Sequence, residues 1–214
     1  MSCKVVVLIS GSGSNLQALL DTTAQADAPF SVCAVISNKA EAYGLNRATQ
    51  AGIPGIVVDH RSFPNRGAFD QALIKEIDQH KPSLVVLAGF MRILTPEFVR
   101  HYGGRLINIH PSLLPKYQGL NTHQRALEAG DKTHGVTVHF VTEELDGGPS
   151  IVQAIVPIKE GDTPALLAKR VQRQEHTIYP MAVSWFAQQR LQMADDRVLL
   201  DGELLPHCGV QISA

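Results

Sequence analysis

The chain has 214 residues, 44% of them hydrophobic and 18% charged, with a formal net charge of −1 at pH 7. That is enough apolar material for one large core, and the length allows one domain or at most two small ones. So even a charge balance gives no support to nucleic-acid or membrane-surface binding, which favour a basic excess, but leaves small anions to be met by local donors.

The first apolar run, Lys4–Ser10, has strand length. Its unbroken apolar part, Val5 to Ile9, is too short for a secretory apolar region or a membrane span. Further strands are predicted at Phe30–Ser37, Ile56–Asp59, Ser83–Ala88 and Arg105–Ile109, with helices between them at Ser14–Ala24, Ala42–Ala51, Gly67–Gln79 and Pro96–Tyr102. The third helix has the clearest pattern: Phe69, Leu73, Ile74 and Ile77 recur at helical spacing among Asp70, Lys75, Glu76 and Asp78. Strand and helix alternating in this way predict an α/β fold, a doubly wound, mostly parallel sheet covered on both faces. After Asp131 the character changes. Val136–Thr142 and Ile151–Ile158 read as an antiparallel strand pair, joined through Asp146-Gly147-Gly148-Pro149. A long helix from about Thr163 to Ala187 is expected to begin at Pro164 and to kink or split at Pro180. Val198 to Leu205 reads as a small hairpin on Asp201-Gly202. The three cysteines, Cys3, Cys33 and Cys208, are scattered and odd in number, which argues against a disulfide framework or zinc site and for a reducing, cytoplasmic setting.

Two segments carry chemistry. The first strand runs into Gly11-Ser12-Gly13-Ser14-Asn15 and then into a helix. Glycines let backbone approach an anion, and a helix N-terminus points unpaired amides at it. With no Lys after the loop it is not a P-loop, and Leu16 stands where a dinucleotide fingerprint needs glycine. A site for one phosphate remains, beside the plainer reading of a tight turn. The second segment is Asn108-Ile109-His110-Pro111-Ser112-Leu113-Leu114-Pro115, followed 36 residues after His110 by Asp146. Side chains alternate along a strand, so Asn108 and His110 project from one face and can address one substrate atom. An amide, an imidazole and a carboxylate are what an acyl-transfer site needs, although Asp146 before glycine is also an ordinary turn former. In a parallel sheet the glycine loop, Gly89–Leu94 and Asn108/His110 would all open at the strands' carboxyl ends, where such folds bind ligands. Gln172, Glu175, His176 and Tyr179 share one helical face, either exposed or walling a polar substrate. Arg66 and Arg92 read as surface arginines, and His134 with His139 lacks a third ligand for a metal.

Together Gly11–Asn15, Ala88–Leu94, Asn108–Pro115, Val138–Asp146 and Gln172–Pro180 resemble the glycinamide ribonucleotide (GAR) formyltransferases of purine biosynthesis, in order and over nearly the whole chain. The resemblance implies one Rossmann-like formyltransferase domain over 1–214: a phosphate-binding half to about residue 105, a catalytic and folate-binding half over about 106–190, and a C-terminal hairpin and tail over 191–214. It implies that Gly13, Ser14 and Asn15 hold the GAR phosphate, and that Gln172 and Glu175 meet its ribose and glycinamide. Met91, Arg92, Ile93 and Leu94, with Asn108 and the loop Val141, Thr142, Glu143, Glu144, Leu145 and Asp146, would enclose the pterin of 10-formyltetrahydrofolate. Arg66 and Arg92 would meet its benzoyl-glutamate end, no metal would be needed, and the chain would act as monomer or homodimer. Asn108, His110 and Asp146 would be catalytic. Asn108 and protonated His110 would stabilise an oxyanion, each such donor being worth about 2.7–4 kcal/mol, and Asp146 would raise the imidazole pKa. The proton from the attacking amine would pass through His110 or through a water ordered by Asp146. Methionyl-tRNA formyltransferases and formyltetrahydrofolate hydrolases share the general features but carry extra domains, which a chain opening on its first strand is not expected to have. One departure is Gln118 before Gly119, where many relatives have proline; it is expected to loosen the loop without removing a catalytic group. The competing readings are a 10-formyltetrahydrofolate hydrolase and a non-catalytic nucleotide-binding regulator.

Overall fold

The computed structural model describes residues 2–213; Met1 and Ala214, the ends of the sequence-based ranges, lie outside the described residues. The chain divides into two compact units, Met1–Ile107 and Asn108–Ala214. The fold class is α/β, with, among the described residues, eight strands in a mostly parallel sheet and a separate antiparallel sheet of three.

In the first unit β1 (Cys3–Ile9) lies between β2 (Phe30–Ser37) and β4 (Leu84–Leu87), with β3 (Gly55–Val57) outside β2. All three pairings are parallel. Val5 to Ile9 are fully buried, which is why this strand is a continuous apolar run rather than an alternating one. At Cys33 the β1–β2 register slips by one residue and the thiol donates to the Val5 carbonyl at 3.3 Å. Helices α1 (Ser14–Thr23) and α2 (Gly44–Gln50) pack on β2. Helix α3 (Arg66–Gln79) is capped by Asn65, whose side chain accepts from the Ala68 amide at 2.9 Å, and it buries Phe69, Leu73 and Ile77. Each such burial contributes roughly 1.5–3 kcal/mol. Helix α4 (Pro96–His101) has the Thr95 hydroxyl as its cap and proline in its first turn.

In the second unit β6 (Thr133–Phe140) lies between β5 (Leu106–His110, which starts two residues before the unit boundary) and β7 (Ser150–Pro157). β6 and β7 are antiparallel. Among the elements absent from the sequence reading are α5 (Thr122–Glu128), and β11 (Val210–Ser213), which adds in parallel to β7. Helix α6 (Pro164–Ala187) packs on β6 and β7. Pro180 does not split it: the helix runs unbroken, with Ile178, Tyr179, Pro180, Ala182 and Val183 all buried, so packing outweighs the hydrogen bond that proline forfeits. The expected hairpin forms as β9 (Arg197–Leu200) and β10 (Glu203–Leu204), with β8 (Leu191–Ala194) added on the other side of β9. No helix of the described residues is long and apolar enough to cross a membrane.

Candidate active site

In the first unit the turn after β1 presents main chain. Gly13 precedes α1 with φ 71°, in the left-handed region. A Cβ there would meet the Gly44 Cα at 2.7 Å, so both glycines are required by the close approach of α2 to the loop. The Gly44 amide donates to the Gly11 carbonyl at 3.0 Å, and Arg47 Nε donates to the Ser12 carbonyl at 2.9 Å. A cavity of about 240 Å³ opens here, lined by Ser10–Asn15, Ala88, Gly89 and Met91. The Ser10 hydroxyl joins its walls: it accepts from the Met91 amide at 2.7 Å and donates to Asn38 Oδ1 at 2.6 Å. The segment Gly89–Leu94 is held at its far end by Asp70, a buried carboxylate that accepts from the Thr95 amide at 2.6 Å. Burial pushes the Asp70 carboxyl pKa upward.

In the second unit Asn108 and His110 lie two residues apart in β5, and Asp146 comes from the connection between β6 and β7. His110 Nε2 lies 2.9 Å from the Tyr117 carbonyl; a carbonyl only accepts, so that nitrogen carries a proton. The ring's other nitrogen, Nδ1, faces Asp146 Oδ2 at 3.5 Å, with both side chains nearly buried. Asp146 Oδ2 also accepts from the Gly119 amide at 2.9 Å. Asn108 Nδ2 meets Nε2 of His139 at 3.2 Å. His139 Nδ1 lies 2.8 Å from the Phe140 carbonyl and so bears that ring's proton, which leaves Nε2 to accept from Asn108. Complete burial pushes the His139 pKa down and keeps the ring neutral. Asp146 takes φ 51°, and Gly148 follows it because a Cβ there would fall 1.9 Å from the Phe140 carbonyl oxygen.

In the loop after β5 Ser112 and Leu114 are buried, and polar side chains satisfy their main chain. Thr137 Oγ1 donates to the Ser112 carbonyl at 2.7 Å and accepts from the Leu114 amide, while Gln153 Nε2 donates to the Leu114 carbonyl at 2.8 Å.

Comparison with known proteins places this geometry. Residues 3–183 match the family described as formyl transferase. Phosphoribosylglycinamide formyltransferase of Escherichia coli (strain K12) is 58% identical over 205 residues, covering 96% of this chain and 97% of that one. The chain belongs to the formyl transferase family. The enzyme of the same name from Haemophilus influenzae is 50% identical over 206 residues. The solved structure of phosphoribosylglycinamide formyltransferase from Coxiella burnetii is 53% identical and superposes with a TM-score of 0.95, covering 99% of this chain and all of that one.

This formyltransferase is thus an enzyme, a one-carbon transferase. Of the residues singled out by sequence, Gly13, Ser14, Asn15 and Met91 line the cavity of the first unit. Met91 and Ile93 are exposed, Arg66 is exposed, and Arg92 and Leu94 are half-buried. Asn108, His110 and Asp146 are joined in the second unit through direct contacts or His139. Val141 and Thr142 are half-buried while Glu143, Glu144 and Leu145 are exposed in the loop leading to Asp146; Gln172 is exposed and Glu175 half-buried on α6. Sequence reasoning missed His139, weighed only as a metal ligand, and missed Tyr117, whose contribution is a backbone carbonyl. Among the described residues no group of three or more His, Cys, Asp or Glu is placed to hold a metal ion. His134 instead pairs with His123, Nε2 to Nδ1 at 3.1 Å. Gln118, before Gly119, donates to the Asp146 carbonyl at 3.3 Å.

Proposed function

We propose that this formyltransferase moves the formyl group of 10-formyltetrahydrofolate to the amine of GAR, giving formylglycinamide ribonucleotide and tetrahydrofolate in de novo purine synthesis in the cytoplasm. The observation that carries the reading is the cluster of Asn108, His110, His139 and Asp146, in a chain 58% identical to a phosphoribosylglycinamide formyltransferase. The loop Gly13, Ser14 and Asn15 receives the GAR phosphate, with Gln172 and Glu175 on its ribose and glycinamide. Met91, Arg92, Ile93 and Leu94 and the loop Val141 to Asp146 receive the pterin, and Arg66 with Arg92 the glutamate.

The neutral GAR amine attacks the formyl carbon, and a tetrahedral intermediate forms bearing an oxyanion and an ammonium nitrogen. Asn108, with one amide hydrogen on His139, donates its other to the oxyanion. His110 in its imidazolium form supplies positive charge, its two N–H groups directed to Tyr117 and Asp146. The ammonium proton passes to the folate nitrogen, which then leaves. No side chain serves as a covalent nucleophile, so transfer is direct and both substrates are bound together. Consumption of 10-formyltetrahydrofolate followed with and without GAR tests the reading. GAR-dependent turnover supports it; turnover without GAR identifies a hydrolase, and substrate binding without turnover a regulator.

A further inference from the structure

The loop after Pro115 touches the reacting side chains through its main chain, the Tyr117 carbonyl on His110 Nε2 and the Gly119 amide on Asp146 Oδ2, each at 2.9 Å, beside the Gln118 side chain on the Asp146 carbonyl at 3.3 Å. Tyr117 adopts φ 58°. A residue with a side chain stays in that left-handed region when its surroundings hold it there. The hold comes from outside the cluster. Tyr117 Oη donates to Asp131 Oδ2 at 2.8 Å, and Lys116 Nζ lies 3.0 Å from both Asp131 oxygens. Asp131 is itself fixed just beyond α5, its amide donating to the Ala126 carbonyl at 3.2 Å. Arg125, on α5, lies 5.2 Å over the Tyr117 ring and donates to the Gln118 carbonyl at 2.6 Å. The lysine and tyrosine beside it hold the Asp131 carboxyl below its ordinary value, so it stays ionised and able to accept from both.

We infer that Asp131 is a positioning residue for formyl transfer: by gripping Lys116 and Tyr117 it sets the Tyr117 carbonyl against His110. Nε2 then keeps its proton, and Nδ1, facing Asp146, is the nitrogen at which a proton arrives and departs. The inference rests on the functional reading above. A neutral imidazole carries one proton, and the partner of each nitrogen decides where it sits. With the carbonyl displaced, the proton can settle on Nδ1, and the side of the ring facing Asp146 can no longer take one up. Asp131 acts through Lys116 and Tyr117, so its effect falls on kcat and not on KM for either substrate.

The test uses the whole chain and two readouts: steady-state kinetics with 10-formyltetrahydrofolate and GAR, and ¹⁵N imidazole spectra of neutral His110. Wild type is expected to show the Nε2-protonated tautomer. Asp131→Asn is expected to lower kcat by about 10- to 100-fold, as small misplacements of a catalytic group do, to leave both KM values within about twofold, and to mix the tautomers. Asp131→Glu, which keeps the charge, should recover most of both. Tyr117→Phe removes only the hydroxyl and reports the same tie if Asp131→Asn fails to fold. Unchanged kcat in both variants overturns the inference, as does a loss of kcat with the His110 tautomer unmoved. A wild type without GAR-dependent turnover contradicts the functional reading instead, and the spectra still decide whether Asp131 sets the tautomer.

Discussion

At the scale of single residues the second unit assigns each nitrogen of its two central histidines. His139 donates its Nδ1–H to the Phe140 carbonyl and accepts from Asn108, which aims the amide. His139→Phe keeps most of the buried volume but removes that acceptor, leaving Asn108 free to rotate. It is expected to lower kcat about 10- to 100-fold with little change in KM, less than the roughly 10²–10³-fold that loss of a whole oxyanion donor costs. An unchanged kcat would mean that His139 only fills the core. For Asp146→Asn, kcat should fall far more than GAR affinity, because the carboxylate faces His110 Nδ1. A variant that binds GAR poorly but turns over normally would make Asp146 a turn residue with no part in the chemistry.

At the scale of elements, glycine contacts position the connection between β6 and β7. Gly148 lies so close to Phe140 that Gly148→Ala must push the strands apart or move the loop bearing Asp146. Overpacking of this kind costs typically about 1–3 kcal/mol; thermal unfolding and kcat should decline together, whereas a stable, fully active variant would show that the loop moves freely. Local pattern made much of this architecture legible. β2 matches its predicted span, and α1, α3 and α4 begin or end within a residue or two, because buried strands are continuous apolar runs and helices bury a periodic stripe. Long-range choices left no such trace. β11 is four residues whose role is set by pairing with β7, α5 is one short helix after a left-handed Asn121, and Pro180 is tolerated only because its neighbours are buried. The candidate site divides in the same way. Asn108, His110 and Asp146 stand out by type and spacing, while a histidine within an apolar strand and a carbonyl on Tyr117 carry no local signature.

At the scale of the whole molecule, several histidines are buried without charge. Burial pushes the His134 pKa from its ordinary value near 6.5 to about 4, with neighbouring His123 adding to the shift; burial also lowers those of His123 and His139. Below about pH 6.5 the unfolded chain takes protons at these positions that the folded chain refuses, so stability present above that value drains away as pH falls toward about 4. Denaturant unfolding at intervals across this window should show the decline, and His134→Phe should flatten it; a profile flat in wild type would contradict neutral burial. The central claim is that His110 stands in the chemistry of transfer to GAR. The most direct test is absorbance-followed formyl transfer from 10-formyltetrahydrofolate to GAR by wild type and His110→Ala, with GAR affinity measured alongside. The account expects GAR-dependent turnover in wild type and, in the variant, a kcat lower by at least about 10²-fold with GAR still bound; transfer by His110→Ala at the wild-type rate would contradict it.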